Sequence, residues 1–336
     1  MPTLPLLSLK ILLLYWRFCV IISIDEYTWR EGELMKTYTS LNFKLNSPTV
    51  VALGCFDGLH IGHRALIKKA RIAADESGLP LAVFSFTAPP KSFFIPGGIP
   101  ILTDRDEKKR LMALLGVDIL ISVDFSAEIA ALSPEDFFES IIRQRLCASS
   151  VFCGFNYRFG KGAKGDSELL SRLCKESDID FSAIPSVSVE GTTVSSSAIR
   201  DLLSEGNVNV ASKLLGRKYS IRSTVVSGQQ LGRLLGFPTV NQLLSPTSAP
   251  LRNGVYLTRT RVGRHVWRSI TNVGVRPTVD GSTLCAETHL FDFDGDLYGR
   301  NIRVEFLEFI RPEQKFASVE ELTAQVLKDI EKAKEI

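Results

Sequence analysis

One stretch limits what this chain can fold into more than any other. An apolar run, Thr49-Val50-Val51-Ala52-Leu53, passes directly into Gly54-Cys55-Phe56-Asp57-Gly58-Leu59-His60-Ile61-Gly62-His63. The residues after it, Arg64 to Ala74, carry apolar side chains at helical spacing up to Gly78. The run predicts a buried parallel strand and the spacing predicts a helix with a glycine stop. The strand-to-helix turn therefore holds two imidazoles and three glycines. Unpaired N–H groups and the helix dipole at such a turn favour an anion. Gly54, Gly58 and Gly62 let a phosphate approach the backbone, and His60 and His63 can donate hydrogen bonds to it. A nucleotide is the expected ligand.

The pattern continues as an α/β fold. Leu81–Phe86, Ile119–Val123 and Val151–Cys153 read as strands, separated by a helix from Thr103, as N-cap, to Gly116, and by one opened by Ser133-Pro134. Asp166 can cap the next helix. This order predicts a Rossmann-like parallel sheet covered on both faces. After about residue 216 the texture changes. Tyr219–Ser227, Val255–Thr260, His265–Thr271, Cys285–Phe291 and Ile302–Ile310 read as strands between turns rich in glycine, proline and asparagine, which predicts a small antiparallel β-barrel. Ser318-Val319-Glu320-Glu321 is a capping box for a terminal helix. The expected division is residues 35–206, a linker at 207–217, and residues 218–336.

The 336 residues, 45% hydrophobic and 23% charged, suit a soluble protein of two domains. A net charge of +3 without a dense basic block gives no case for a nucleic-acid partner. The six cysteines form no Cys-x-x-Cys pair, which argues against a zinc site or a disulfide framework and for a reducing, cytoplasmic compartment. Residues 4–24 are mostly apolar but interrupted by Lys10 and Arg17, which weakens both a membrane span and a signal peptide. The expectation is that translation starts at Met35, after the Arg30-Glu31-Gly32-Glu33 stretch that purine-rich codons can encode, so that residues 1–34 are not native. A membrane anchor and a docking helix are the other readings. Oligomeric state stays open.

The unit Gly-x-Phe-Asp-Gly-x-His-x-Gly-His resembles the signature of the HxGH nucleotidyltransferases. Gly191-Thr192-Thr193-Val194-Ser195-Ser196-Ser197-Ala198-Ile199-Arg200 resembles that superfamily's second motif. The resemblance implies that a phosphate attacks the α-phosphorus of ATP and pyrophosphate leaves, with positioning and fixed donors supplying the catalysis. His60 and His63 would bind the triphosphate and its transition state, Arg200 would steady the leaving group, and Ser196 and Ser197 would add donors. Gly54, Phe56, Asp57, Gly58, Gly62 and Asn156, the last in the glycine-rich 154–162 loop, would line the nucleotide and flavin site.

A second constellation lies in Gly232-Arg233-Leu234-Leu235-Gly236-Phe237-Pro238-Thr239-Val240-Asn241. A glycine-bearing loop can cradle phosphates, and the Thr239 hydroxyl and Asn241 carbonyl are hard oxygen ligands suited to Mg²⁺. Cys285, Glu287, His289 and Phe291 share one strand face. A carboxylate there, if inside the barrel mouth, can accept a proton from a substrate hydroxyl. The Pro-Thr-x-Asn motif, Asn253-Gly254-Val255-Tyr256, Asn272–Thr278, Glu287–Phe293, Leu297-Tyr298-Gly299 and Arg311–Phe316 occur in the order found in riboflavin kinase. With the HxGH domain, residues 35–336 resemble the bifunctional bacterial riboflavin kinase/FAD synthetase family.

That resemblance implies phosphorylation of riboflavin to FMN and adenylylation of FMN to FAD, with ATP as co-substrate and Mg²⁺ as cofactor. Thr239 and Asn241 would hold Mg²⁺–ATP, and Glu287 would be the base toward the riboflavin 5′-hydroxyl. Gly232, Gly236, Pro238, Asn253, Tyr256 and Arg276 would line the kinase site. The chain departs from the family pattern twice. Val240 stands where alanine is usual, adding two carbons that could crowd the site. Phe86-Thr87-Ala88-Pro89-Pro90 lacks the usual histidine, which keeps open a riboflavin kinase with a weakened adenylyltransferase domain.

Overall fold

The structure is a computed structural model that describes residues 35–228, 232, 235–278 and 281–335. The readings for residues 1–34 lie outside the described residues. Residues 35–336 form one compact unit.

The first half holds strands β1 (Lys36–Tyr38), β2 (Thr49–Leu53), β3 (Leu81–Phe86), β4 (Ile119–Val123), β5 (Ala148–Gly154) and β6 (Asp180–Ile184). Helices α1 (Ile61–Ser77), α2 (Arg105–Leu114), α3 (Ala127–Ala131), α4 (Pro134–Phe137) and α5 (Ser167–Lys175) alternate with them. The six strands form a wholly parallel sheet in the order β1-β4-β3-β2-β5-β6. The chain runs outward from β2 through β3 to β4, then returns to place β5 on the other side of β2. A crevice opens at such a reversal, beyond the carboxyl ends of the strands. The HxGH loop leaves β2 there, and the Asn156 turn leaves β5.

Alternation along β2 explains its continuous apolar run. Val51 and Leu53 face one core with Phe84, Ile121 and Phe137. Val50 and Ala52 face the other with Leu66, Ile67, Ala70 and Met112 from α1 and α2. Both faces are covered, as a parallel sheet requires. Helix α1 stops at Gly78, whose φ of 67° suits a left-handed cap. Ser133 and Asp166 cap α4 and α5 as the sequence suggested. Thr103 does not cap α2. Asp104 does, accepting from Glu107 N at 2.7 Å, and this frees the Thr103 hydroxyl for the nucleotide loop.

A two-stranded ribbon, β7 (Ser188–Val189) with β8 (Thr192–Thr193), leads to helices α6 (Ser196–Ser204) and α7 (Val208–Leu215). Residues 207–217 are thus mostly helix. Val208, Ala211, Leu214 and Leu215 are buried in a cluster with Ile199 and Leu203 of α6 and with Tyr219, Tyr256 and Phe306.

The second half is a closed barrel of β9 (Ser220–Val226), β10 (Val240–Leu243), β11 (Gly254–Val262), β12 (His265–Thr278), β13 (Gly281–Leu290) and β14 (Asn301–Arg311). Its order is β10-β13-β12-β11-β14-β9, all antiparallel. Helix α8 (Val319–Glu335) seats Ile330 and Ala333 against Val255, Leu257 and Ile270. Arg311 pairs with Asp329 at 2.7 Å to hold it. The barrel interior carries fully buried hydroxyls. Thr258 bonds Ser269 and Thr271 at 2.8 Å each, Thr260 bonds Ser269 at 2.8 Å, and Thr271 bonds Thr288 at 2.9 Å. Linked this way, they do not carry the desolvation cost of unpaired polar groups.

Candidate functional site

The HxGH loop is built on buried anchors. Phe56 and Leu59 take left-handed backbone with φ of 51° and 39°, and both side chains are buried. Gly58 has φ of 80°, and a Cβ there would lie 2.7 Å from Leu102 Cδ1. Its N–H donates to the Thr103 hydroxyl at 3.1 Å. The loop is thereby pulled tight against the segment before α2. Phe56 is a packing residue beneath the loop, since its ring has no exposed surface.

At the start of α1 the rings of His60 and His63 stack with centroids 3.6 Å apart. His60 Nδ1 accepts the His63 N–H at 3.2 Å, so the proton of neutral His60 sits on Nε2. Burial lowers His60 to about 4, and the positive charge of Arg217 pushes in the same direction. Burial, then His60 and Lys108, keeps His63 well below the usual imidazole range. Both rings are neutral donors at pH 7. His63 Nδ1 is buried without a hydrogen-bond partner among the described residues.

Neutral burial has a measurable consequence. His60 titrates near 6.5 when unfolded and near 4 when folded, so the unfolded chain binds the proton more readily between these values. The stability from keeping it neutral is complete above pH 6.5 and is lost as pH falls toward 4. The loss from this residue is about 2 kcal/mol by pH 5. Urea melts of wild type and His60→Asn at pH 7 and pH 5 will show a shallower acid loss in the variant. Equal losses would show that His60 carries no such penalty.

Asp57 does not face outward as a ligand contact would. Its Oδ1 accepts from Leu102 N and Thr103 N at 2.9 and 3.3 Å, and its Oδ2 pairs with Arg200 at 2.5 Å. Arg200 Nε also donates to Pro100 O, and Ser196 Oγ donates to Asp57 O at 2.9 Å. Ser195 caps α6 by accepting Ala198 N, and Ser197 is exposed beside it. Arg200 and Ser196 thus close the second motif onto the first. Asn156 is exposed in a turn in which Tyr157 N bonds Gly154 O at 2.9 Å. Thr87, in the segment lacking histidine, donates to Asp124 Oδ1 at 2.5 Å.

The second set of residues lies on the outer wall of the barrel, not in its interior. Ala286, Thr288 and Leu290 of β13 point inward, which turns Cys285, Glu287 and His289 outward. The sequence reading left open a carboxylate inside the barrel mouth; Glu287 is instead exposed on the outer wall. Its register neighbours are Asn241 on β10 and Asn272 on β12. Thr239 lies just before β10, with its hydroxyl beside Gly232. His289 Nδ1 lies 2.8 Å from Pro238 O, and Cys285 Sγ lies 3.7 Å from Asn241 Oδ1. Val240 packs inward with the barrel core, so its extra carbons do not crowd this face.

Glycines set the loop against this face. A Cβ on Gly232 would lie 2.6 Å from Phe237 O and 3.4 Å from Thr239 Oγ1. A Cβ on Gly228 would collide with the Asn241 amide. Gly236 has φ of 85° and open space around it. Pro238 is exposed and Asn253 half-buried, whereas Tyr256 is a core residue, fully buried against Phe306 with its hydroxyl on Arg252 O. Burial removes Tyr256 from any ligand-contacting role. The Arg276 side chain lies outside the described residues. The hydroxyl oxygen of Thr239 and the amide oxygen of Asn241 are hard donors that fit Mg²⁺, and the Glu287 carboxylate beside them is not part of that set.

Sequence reasoning missed Lys108 and Gly228. Lys108 is 2% exposed and donates from Nζ to Cys55 O at 3.1 Å and Phe86 O at 2.7 Å, beneath the HxGH loop.

A family model for FAD synthetase matches residues 42–198, and one for riboflavin kinase matches residues 215–336. The bifunctional riboflavin kinase/FMN adenylyltransferase of Escherichia coli K12 is 37% identical over 83% of this chain and 90% of its own. The Bacillus subtilis 168 protein of the same name is 34% identical over 85% and 91%. A crystal structure named a macrolide-efflux protein, from Streptococcus pneumoniae, covers 89% of this chain and 98% of its own at 32% identity with a TM-score of 0.81. No helix among the described residues is long and apolar enough to cross a membrane.

Proposed function

The chain belongs to the bifunctional riboflavin kinase/FMN adenylyltransferase family, and we propose that it converts riboflavin to FMN and FMN to FAD, consuming ATP in each step. The observation that carries the adenylyl-transfer reading is the stacked, neutral His60–His63 pair at the reversal of the parallel sheet. The FMN phosphate attacks the α-phosphorus of ATP and pyrophosphate departs. His60 Nε2–H is a fixed neutral donor for the triphosphate, and the Nδ1 of His63 has no partner among the described residues. Asp57 and Arg200 hold the loop and α6 in register.

Riboflavin phosphorylation belongs to the outer barrel wall. Glu287 accepts the proton of the 5′-hydroxyl as that oxygen attacks the γ-phosphorus, the bond from phosphorus to the β–γ bridging oxygen breaks, and ADP leaves. Thr239 and Asn241 would hold Mg²⁺, which supplies charge neutralisation on the transferring phosphates. His289 fixes the Pro238 turn that presents them. We assign the first activity to residues 35–206 and the second to 218–336, with 207–217 joining them. A cytoplasmic setting is supported by five free thiols among the described residues.

Incubation with riboflavin, ATP and Mg²⁺, followed by HPLC, will show FMN and then FAD with pyrophosphate. FMN without FAD would establish the weakened-adenylyltransferase reading that the histidine-free Thr87 segment leaves open. Failure to form FMN would sink the kinase reading.

A further inference from the structure

The barrel touches the HxGH loop through α2. Glu107 and Lys108 are consecutive on this helix and face different partners. Glu107 Oε2 accepts from Arg303 Nη2 of β14 at 2.8 Å, and Arg110 holds both of its oxygens, at 2.8 and 2.7 Å. Lys108 donates to the carbonyl of Cys55 in the loop and to that of Phe86 at the end of β3. Just before the helix, Ile101 bridges to the barrel: Ile101 N donates to Thr247 O at 2.7 Å and Ala249 N to Ile101 O at 2.8 Å. The next two residues, Leu102 and Thr103, give their N–H groups to Asp57.

The Glu107–Arg303 pair is largely desolvated, with side chains 10% and 19% exposed, so salt screens it weakly. Burial works against the Glu107 charge, but the hydrogen bonds from Arg110 and the positive charge of Arg303 outweigh it, and the carboxyl stays ionised below its ordinary range. Arg217 adds to the same junction. It is half-buried, lies within reach of the Glu107 charge and donates to Leu59 O, the carbonyl before His60, at 3.4 Å.

We infer that Arg303, a barrel residue, is a positioning residue for adenylyl transfer: through Glu107 it fixes the register of α2, and Lys108 and Thr103 on that segment fix the HxGH loop. This rests on the adenylyltransferase reading of the loop. The effect is on geometry, and misplacement of about 1 Å at a reacting centre costs up to about 10²-fold in rate. A link acting through one helix turn is expected to cost about tenfold.

The test measures FMN adenylylation and riboflavin phosphorylation separately in full-length Arg303→Met and Arg303→Lys. For Arg303→Met, adenylylation kcat and kcat/KM fall together by about tenfold, KM for ATP barely moves, and riboflavin phosphorylation is unchanged. Arg303→Lys keeps the charge without the fork and loses about threefold, in adenylylation alone. Arg303→Met combined with Glu107→Gln loses no more than the larger single change. Wild-type adenylylation kcat in Arg303→Met, or a proportional fall of both activities, overturns the inference. If the Met variant does not fold, Arg303→Lys decides, and an unchanged kcat there overturns it. A wild-type protein that makes no FAD instead sinks the adenylyltransferase reading itself.

Discussion

Glu287→Gln will lower FMN formation from riboflavin by about 10²–10⁴-fold, while FAD formation from supplied FMN continues at the wild-type rate. The amide keeps the shape of the side chain and its place between Asn241 and Asn272, so β13 is not disturbed. What it cannot do is take a proton. Because Glu287 stands on the outer wall, the substitution leaves the hydroxyl-lined barrel interior untouched. Unfolding is therefore not an alternative explanation of lost activity, and a melt within a degree or two of wild type confirms that. Riboflavin phosphorylation at the wild-type rate would remove Glu287 as the base.

His63→Ala will do the reverse, lowering FMN adenylylation by about 10²–10³-fold and sparing riboflavin phosphorylation. The ring is stacked on His60 and set edge-on to Phe56, so its removal deletes a donor and loosens its neighbour. The His63 N–H that His60 accepts is backbone and survives the change. Loss therefore comes from the imidazole rather than from the helix cap. Steady-state kinetics with FMN and ATP will read it, and equal damage to both activities would sink the two-site reading.

The strand-to-helix turn was legible because its signals are local: four apolar residues after Thr49, closely set glycines, then a helical period. The same holds for the caps at Ser133, Asp166 and Ser318, where a short polar side chain three residues before an N–H is enough. The barrel strands were legible as elements, but β10 was not, because Val240–Leu243 is short and follows a loop. Which way Glu287 and Val240 point depends on register against β12 and β13, which no local pattern specifies. Lys108 was hidden for a related reason. In Glu107-Lys108-Lys109-Arg110 it looks like part of a solvated helix face, and only the carbonyls of Cys55 and Phe86, 53 and 22 residues away in sequence, give it a reason to be buried. Thr103 was misread as a cap because Asp104 beside it is an equally good one and the loop claimed the Thr103 hydroxyl.

Helix α7 bears on how the polypeptide can be divided. A gene cut just before Val208 would leave the upstream fragment with Ile199 and Leu203 uncovered, and a cut just after Leu215 would strip Val208, Ala211, Leu214 and Leu215 from Tyr219 and Tyr256. Either fragment would carry a sticky apolar scar where the intact chain has interior. Separately expressed halves of this protein should therefore be recovered together, from one host and in equal amounts, more readily than either is alone.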